Sequence, residues 1–531
     1  LSTRNNAGPH LWVPPAAWLL AGLGIWLACL SWARVLTLPD EGRYAGVAWE
    51  MLRSGSHAVP LLDGMPYFHK PPLYYWLTEI GFKLFGLNEW AARMPSWLAA
   101  WAALAGLYAF VRRYRDAATA TIAVVILATT PFFYGGAQFA NTDMLVAGLI
   151  TLAVLAAADS VLRAETQRPF RLMSLAAATL AGLAVLAKGL IGLVLPGATI
   201  FFWLILSRRW HGFRVLLWPP ALLMFGLVAI PWFWMMQARF PGFFHYFFVY
   251  QHFERFAQSG FNNAQPFWFY LPVTVGLILP WSLWGGGVLR KDFWQSPDPA
   301  GLRSLMAIWI VVVLGFFSIP SSKLIGYVVP ALPPLAVALA EVIQRAIRHS
   351  MTGQARLWAY RCAAGSVLLC VVLVGVFVAN PRRSAEPLGR QIAAEIQTSD
   401  TLVTLHSYPF DLGIYTGSMK PAWVIDDWTN PQIPLRDNWR KELYDAGLFA
   451  PQTAAHVLIS PETFLSRLCT AAPGNRFWIW GEPEDAQHYP ALRGLAPKFS
   501  DRHYMVWRID IDRDFNARLC GETPIAGSPG K

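Results

Sequence analysis

Between Pro39 and Trp76 the chain reads PDEGRYAGVAWEMLRSGSHAVPLLDGMPYFHKPPLYYW, with opposite charges crowded at both ends. Asp40, Glu41, Arg43 and Tyr44 open the stretch; Tyr67, His69 and Lys70 close it, ahead of Pro71-Pro72. Proline fixes its own φ and restricts the residue before it, so Lys70 is expected extended rather than free on a helix. A lysine held this way suits a fixed anion such as a lipid head group. Carboxylates nearby suit a cationic group, an attacking oxygen or a divalent metal. The plain alternative is a solvated loop with a few charges.

Other ionisable groups interrupt apolar runs farther along. Asp143 follows Phe139-Ala140-Asn141-Thr142, Lys188-Gly189 breaks another run, and Lys323 leads into Leu324-Ile325-Gly326-Tyr327. Arg255 lies in the aromatic stretch FPGFFHYFFVYQHFERFAQSGFNNAQP. Charges at membrane depth are expensive, so each needs a reason. Asp143 serves either as a helix cap or as a carboxylate sharing a cavity with Asp40; Lys188 either snorkels or touches a ligand. Lysines and arginines stabilise a phosphate that departs with growing negative charge, so the set suits group transfer from a phosphate leaving group. No Walker lysine loop and no dinucleotide glycine fingerprint offers a cradle for a soluble nucleotide.

The elements that must position these residues are membrane spans. Of 531 residues, 55% are hydrophobic and only 14% charged, well below the roughly one quarter usual in soluble domains. Apolar runs of spanning length occur at Trp18–Leu38, Ala91–Val111, Ala117–Gly135, Asp143–Leu162, Leu172–Ala187, Leu190–Leu206, Val215–Met235, Phe267–Leu289, Leu302–Ile319, Ile325–Ile343 and Trp358–Ala379. Alternate loops carry Arg112, Arg113 and Arg115; Arg163, Arg168 and Arg171; Arg208, Arg209 and Arg214; Arg290, Lys291 and Arg303; Arg345, Arg348 and Arg356. The positive-inside rule makes that side cytoplasmic, so the net charge of +11 reports topology, and no nucleic-acid partner is expected. Cations on the opposite side, including Arg43, Lys70, Arg93, Lys188, Arg255 and Lys323, are not required by topology, and anion binding is their expected use. Glu41–Arg53 and Leu73–Phe85 have amphipathic helical spacing and are expected to lie along the interface.

After Ala379 the character changes. Strand-like runs (Thr401–Leu405, Trp423–Ile425, His456–Ile459, Phe477–Trp480, Met505–Ile509) alternate with helical patterns at Pro387–Gln397 and Pro461–Leu468, which predicts a small α/β domain. The division expected is thus a transmembrane catalytic domain, 1–379, with external loops at 39–90 and 237–266, and a periplasmic domain, 380–531. Cys29, Cys362 and Cys370 fall in apolar spans; Cys469 and Cys520 share the tail, where a disulfide between them is expected.

PDEGRYAGVAWEMLRSG, then PYFHKPPLYYWL and NEWAAR, resembles the membrane glycosyltransferases that use polyprenyl-phosphate sugars, above all the 4-amino-4-deoxy-L-arabinose lipid A transferases. The resemblance implies a mainly α, polytopic GT-C fold of eleven to thirteen transmembrane helices in the bacterial inner membrane, related to the protein O-mannosyltransferases. It implies an undecaprenyl-phosphate sugar donor, lipid A as acceptor, surrounding membrane lipids, an active site facing the periplasm, and polymyxin resistance as the outcome. Carried over by motif, Asp40 resembles the family's first-loop aspartate, Lys70 and Arg255 its lipid-phosphate cations, and Tyr327 its tyrosine after the fifth loop. Asp143, Lys188, Arg43, Tyr44, Tyr67 and Lys323 fit the same cavity. One departure stands out: many members read Glu-Lys-Pro where this chain has His69-Lys70-Pro71. No cofactor is required, and a divalent metal would have His69 and His252 as its candidate donors. Two other readings stay open. A protein O-glycosyltransferase would need Asp40 as a true base; a lipid or sugar transporter would show repeated halves, and no repeat is visible.

Overall fold

The computed structural model describes residues 14–254, 264–380, 383–512, 515, 519 and 520. It divides into two compact units: one from the described residues of Leu1–Arg34 and His69–Asn380, the other from Val35–Phe68 with Pro381–Lys531. The segment 35–68, grouped with the membrane portion in the sequence reading, is therefore folded with the tail.

The first unit is helical. Six described helices are long and apolar enough to cross a membrane: Glu89–Tyr114, Thr142–Glu165, Arg171–Lys188, Pro219–Arg239, Ile325–His349 and Gln354–Ala379. Ala117–Thr129 and Pro131–Ala137 make a seventh if counted as one span, bent by 69° where Pro131 cannot continue the hydrogen-bond ladder. Ala16–Ala28, Ile191–Leu206 and Leu302–Ser318 are apolar but shorter. This chain is a multi-pass membrane protein, and among its described residues there are fewer full-length helices than the eleven apolar runs suggest.

The shortfall has local causes. Trp18–Leu38 yields only the helix Ala16–Ala28, after which Arg93 Nη1 donates to the carbonyls of Ser31 (2.5 Å) and Arg34 (2.9 Å). Arg93 thus holds main chain, where anion binding was expected of it. Phe267–Leu289 breaks into the helix Tyr270–Leu277 and a 3₁₀ turn at Trp281–Gly287, because Pro280 lacks a donor and Gly285-Gly286-Gly287 favours no helix. The basic loops are partly neutralised by buried acids: Asp159 takes Arg113 and Arg163, each at 2.8 Å, and Glu341 takes Arg115 at 2.8 Å and Arg303 at 2.7 Å.

The second unit is built on a six-stranded mixed sheet. With β1 (Leu61–Leu62) and β2 (Met65–Pro66) forming a separate hairpin, the sheet strands are β3 (Thr401–Leu405), β4 (Trp423–Ile425), β5 (Leu458–Ile459), β6 (Arg476–Gly481), β7 (Phe499–Ser500) and β8 (Met505–Asp510). Their order is β5-β4-β3-β6-β8-β7; the first four run parallel and β8 is antiparallel to both neighbours. Both faces are covered, as parallel strands require. Phe477 and Ile479 point into one core with Leu405 and Trp507; Trp478 and Trp480 alternate into the other with Leu402 and Val506. Cys469 and Cys520 form the expected disulfide, with Cα atoms 5.8 Å apart.

Against this sheet's loops packs the helix Asp40–Ser54, which carries the charged motif. Its contact is close: a Cβ on Gly46 would stand 2.3 Å from the Phe410 carbonyl oxygen. Phe68 meets Phe449 edge-on with ring centroids 4.9 Å apart. The amphipathic pattern of Leu73–Phe85 is likewise helical, beginning at Pro72.

Candidate active site

In the helical unit three of the expected residues come together. Asn141 is the cap of Thr142–Glu165, its side chain accepting from the Asp143 N–H at 3.0 Å, so capping is not Asp143's task. The Asp143 carboxylate instead receives the Lys188 ammonium, which ends the helix Arg171–Lys188. Both are mostly buried, with side-chain exposures of 25% and 13%. Lys188 also stands 5.1 Å from the centre of the Tyr327 ring, and Tyr327 stacks on Phe317 at 4.7 Å. Gly326 makes room for this: a Cβ there would lie 2.9 Å from Asp143 Oδ2. Lysine, aspartate and tyrosine are thus fixed at helix ends, where cations and polar groups at a membrane boundary are least costly.

Lys323 is placed otherwise. It is 3% exposed, and its ammonium donates to the carbonyl of Gln265 at 3.0 Å and to that of Pro320. It fastens the loop ahead of Tyr270 to the loop ahead of Tyr327, a pairing that Ala264 and Ser322 reinforce as a β-bridge. His69, also buried, packs against Tyr246 with ring centroids 6.0 Å apart, and Lys70 follows it half-buried. Arg255 and the side chain of His252 lie outside the described residues. Among the described residues no group of three or more His, Cys, Asp or Glu is arranged to hold a metal ion.

In the sheet-containing unit the remaining four converge. Asp40 opens its helix half-exposed and accepts from Arg43 Nη2 at 2.6 Å. The other Arg43 nitrogen, Nη1, donates to Glu442, and the Tyr67 hydroxyl donates to the second Glu442 oxygen at 2.6 Å. Arg43 lies 5.5 Å from the Tyr44 ring centre. Burial opposes the charge on Arg43, but Glu442, Tyr67, Tyr44 and Asp40 outweigh it, so its pKa rises well above the usual arginine value and it stays cationic. Sequence reasoning missed Glu442, on the helix Trp439–Leu448; nothing in its local spacing distinguishes it from a surface glutamate. Asp40 and Asp143, expected to share one cavity, belong to different compact units.

Comparison with known proteins gives these residues a context. Residues 69–234 match the family model of dolichyl-phosphate-mannose-protein mannosyltransferase. The undecaprenyl phosphate-alpha-4-amino-4-deoxy-L-arabinose arabinosyl transferase of Erwinia tasmaniensis is 34% identical over 58% of this chain and 55% of its own length. The enzyme of the same name from Pseudomonas paraeruginosa is 30% identical over 90% of this chain and 87% of its own. In fold, the crystal structure of ArnT from Cupriavidus metallidurans bound to undecaprenyl phosphate superposes with a TM-score of 0.76, at 22% identity, over 93% of this chain and 98% of that one. With the Pseudomonas paraeruginosa relative 30% identical and matched over 87% of its own length, this chain belongs to the family of undecaprenyl phosphate-4-amino-4-deoxy-L-arabinose arabinosyl transferases.

Proposed function

We propose that this protein transfers 4-amino-4-deoxy-L-arabinose from undecaprenyl phosphate to a phosphate of lipid A at the periplasmic face of the inner membrane. The observation that carries the reading is the Asp143–Lys188–Tyr327 constellation, in a chain of this family that also bears the His69-Lys70-Pro71 motif. A phosphate monoester, with a second pKa near ~6, is already an anionic nucleophile at neutral pH, so no strong base is needed. Its oxygen attacks the anomeric carbon, the bond from that carbon to the undecaprenyl phosphate oxygen breaks, and the electron pair leaves on the lipid phosphate. One in-line displacement inverts the sugar.

Lys70 and Arg255 are assigned to the departing phosphate, with Lys188 and Tyr327 lining its site and Lys323 fastening the loops beside it. Asp40 is assigned to the acceptor or to the sugar's ammonium, with Arg43, Tyr44 and Tyr67 binding substrate and Asp143 as the carboxylate that holds Lys188 in place. The assignment puts catalysis in residues 1–379, of which 35–68 fold with the tail, and the tail, 380–531, in the periplasm, where the Cys469–Cys520 disulfide persists. The match of residues 69–234 to a mannosyltransferase model supports a second reading, transfer to a protein hydroxyl with Asp40 as base. Mass spectrometry of lipid A from cells with and without the protein separates them. An added aminopentose is the expected result; unchanged lipid A beside altered glycoproteins selects the second reading.

A further inference from the structure

Glu50, on the same helix as Asp40 and Arg43, is buried at 7% exposure and faces the hairpin that precedes Tyr67. Its two oxygens accept the N–H groups of Asp63 (2.7 Å) and Gly64 (2.8 Å). Those are the central residues of the turn between β1 and β2, paired Leu62 to Met65, and both have left-handed φ, 51° and 76°. A two-residue hairpin with both central φ positive is a type I′ turn, and its exposed amides are what a carboxylate can grip. The Asp63 side chain in turn accepts from Ala422 N–H at 2.8 Å, tying the turn to the start of β4. The hairpin continues through Tyr67 N–H, which donates to Pro60 O at 2.8 Å, to the Tyr67 hydroxyl on Glu442.

Few charges face this pair. Arg53 Nη2 stands 3.8 Å from Glu50 and spends Nη1 on the Ser418 carbonyl at 3.0 Å; Tyr408, half-buried, turns its hydroxyl toward Asp63. Lys420 lines the same small cavity but donates to Ser399 O at 2.8 Å. Two buried carboxyls so placed cannot both be ionised cheaply. Burial, and for Asp63 also the charge of Glu50, raises the titration of both, Asp63 well above the ordinary aspartate value.

We propose that Glu50 and Asp63 are positioning residues which together clamp the I′ turn, and so hold Tyr67 on Glu442 and thereby Arg43 beside Asp40. The proposal rests on the functional reading above for what Arg43 and Asp40 then do; the clamp itself does not. The sign follows from the raised titration. A proton is kept below the pair's folded pKa, and the clamp loosens as pH rises through it, when two negative charges meet.

Asp63→Asn is the informative variant. Asparagine keeps the acceptor for Ala422, suits a left-handed φ, and cannot ionise. In the full-length protein in lipid nanodiscs, hydrogen exchange of residues 58–68 should accelerate at least tenfold, beyond intrinsic exchange, on the alkaline side in the wild type and not in Asp63→Asn. Transfer to lipid A should show the same alkaline limb in the wild type and lose it in the variant. Glu50→Gln, which sets an amide against one of the turn's N–H groups, should lower kcat at least tenfold with the donor KM within twofold. Exchange of residues 401–405 reports whether each variant is folded. An alkaline limb unchanged in Asp63→Asn, or a folded Glu50→Gln within twofold of wild type, overturns the inference. Failure of the wild type to modify lipid A, with the exchange result as expected, overturns the functional reading and leaves the clamp standing.

Discussion

Two lysines that look alike in the sequence do different work. Lys188 is oriented by a carboxylate and an aromatic ring, whereas the Lys323 ammonium is consumed by the carbonyls of Gln265 and Pro320. Removing a preorganised charge at a developing anion costs about 100-fold to 1,000-fold in kcat, so Lys188→Met is expected in that range. Lys323→Met should lose loop order instead, with a fall in thermal stability and less than about tenfold in kcat. Lys188→Met alone leaves Asp143 mostly buried and unpaired, which is itself destabilising by about 3–5 kcal/mol when burial is complete. The double variant Lys188→Met/Asp143→Asn removes that penalty. Single-turnover transfer then decides: recovery of stability without transfer supports a role in chemistry, and recovery of both makes the pair structural. The residue types were legible in the sequence because charges inside apolar runs are rare. Their partners were not, because Lys188 and Asp143 are separated by 45 residues and Arg43 and Glu442 by 399, and only folding closes such distances.

At the scale of elements, the motif PDEGRYAGVAWEMLRSG was legible as an amphipathic helix, and its charges drew attention first. The structure shows that its glycines matter as much. Gly46 lets the helix approach the Phe410 carbonyl until a Cβ would stand at 2.3 Å, and a Cβ on Gly42 would stand only 3.2 Å from the Asp411 backbone nitrogen and 2.5 Å from Leu38 Cδ2. Backbone does not yield as a flexible side chain does. Gly46→Ala should therefore push the helix away and cost about 1–3 kcal/mol, the usual price of overpacking. Thermal unfolding of the purified protein measures it, and a stability equal to wild type would contradict the close contact. Four of the sheet's six strands were legible to within a residue at each end, since apolar residues there fill both faces of a covered sheet; His456–Ile459 is strand only at Leu458–Ile459, and β7 was not read. The spans were less so: hydropathy marks which residues are apolar, and it does not register where Pro280 or the Arg93 clamp ends a helix early.

The chain as a whole is not a membrane part followed by a tail. It enters the sheet-containing unit at Val35, leaves at Phe68, and returns after Asn380. Composition could not reveal this, because 35–68 has neither the hydropathy of a span nor the strand periodicity of the tail. The segment contributes Val47, Met51, Leu62, Met65 and Phe68, all essentially inaccessible, to that unit. Burying such side chains is worth roughly 1.5–3 kcal/mol each, a sum comparable with the whole stability of a domain, about 5–15 kcal/mol. A chain ended after Asn380 should then leave the charged motif without the surface it folds on, Glu442 included. Such a truncation is expected to fall below one-tenth of wild-type accumulation in membranes and to show no transfer. The tail expressed alone from Pro381 should unfold at a lower temperature than the same tail fused through a short linker to residues 35–68. Equal melting of the two soluble proteins would mean that the segment adds nothing to the sheet-containing unit, and the first-loop motif would have to be placed without it.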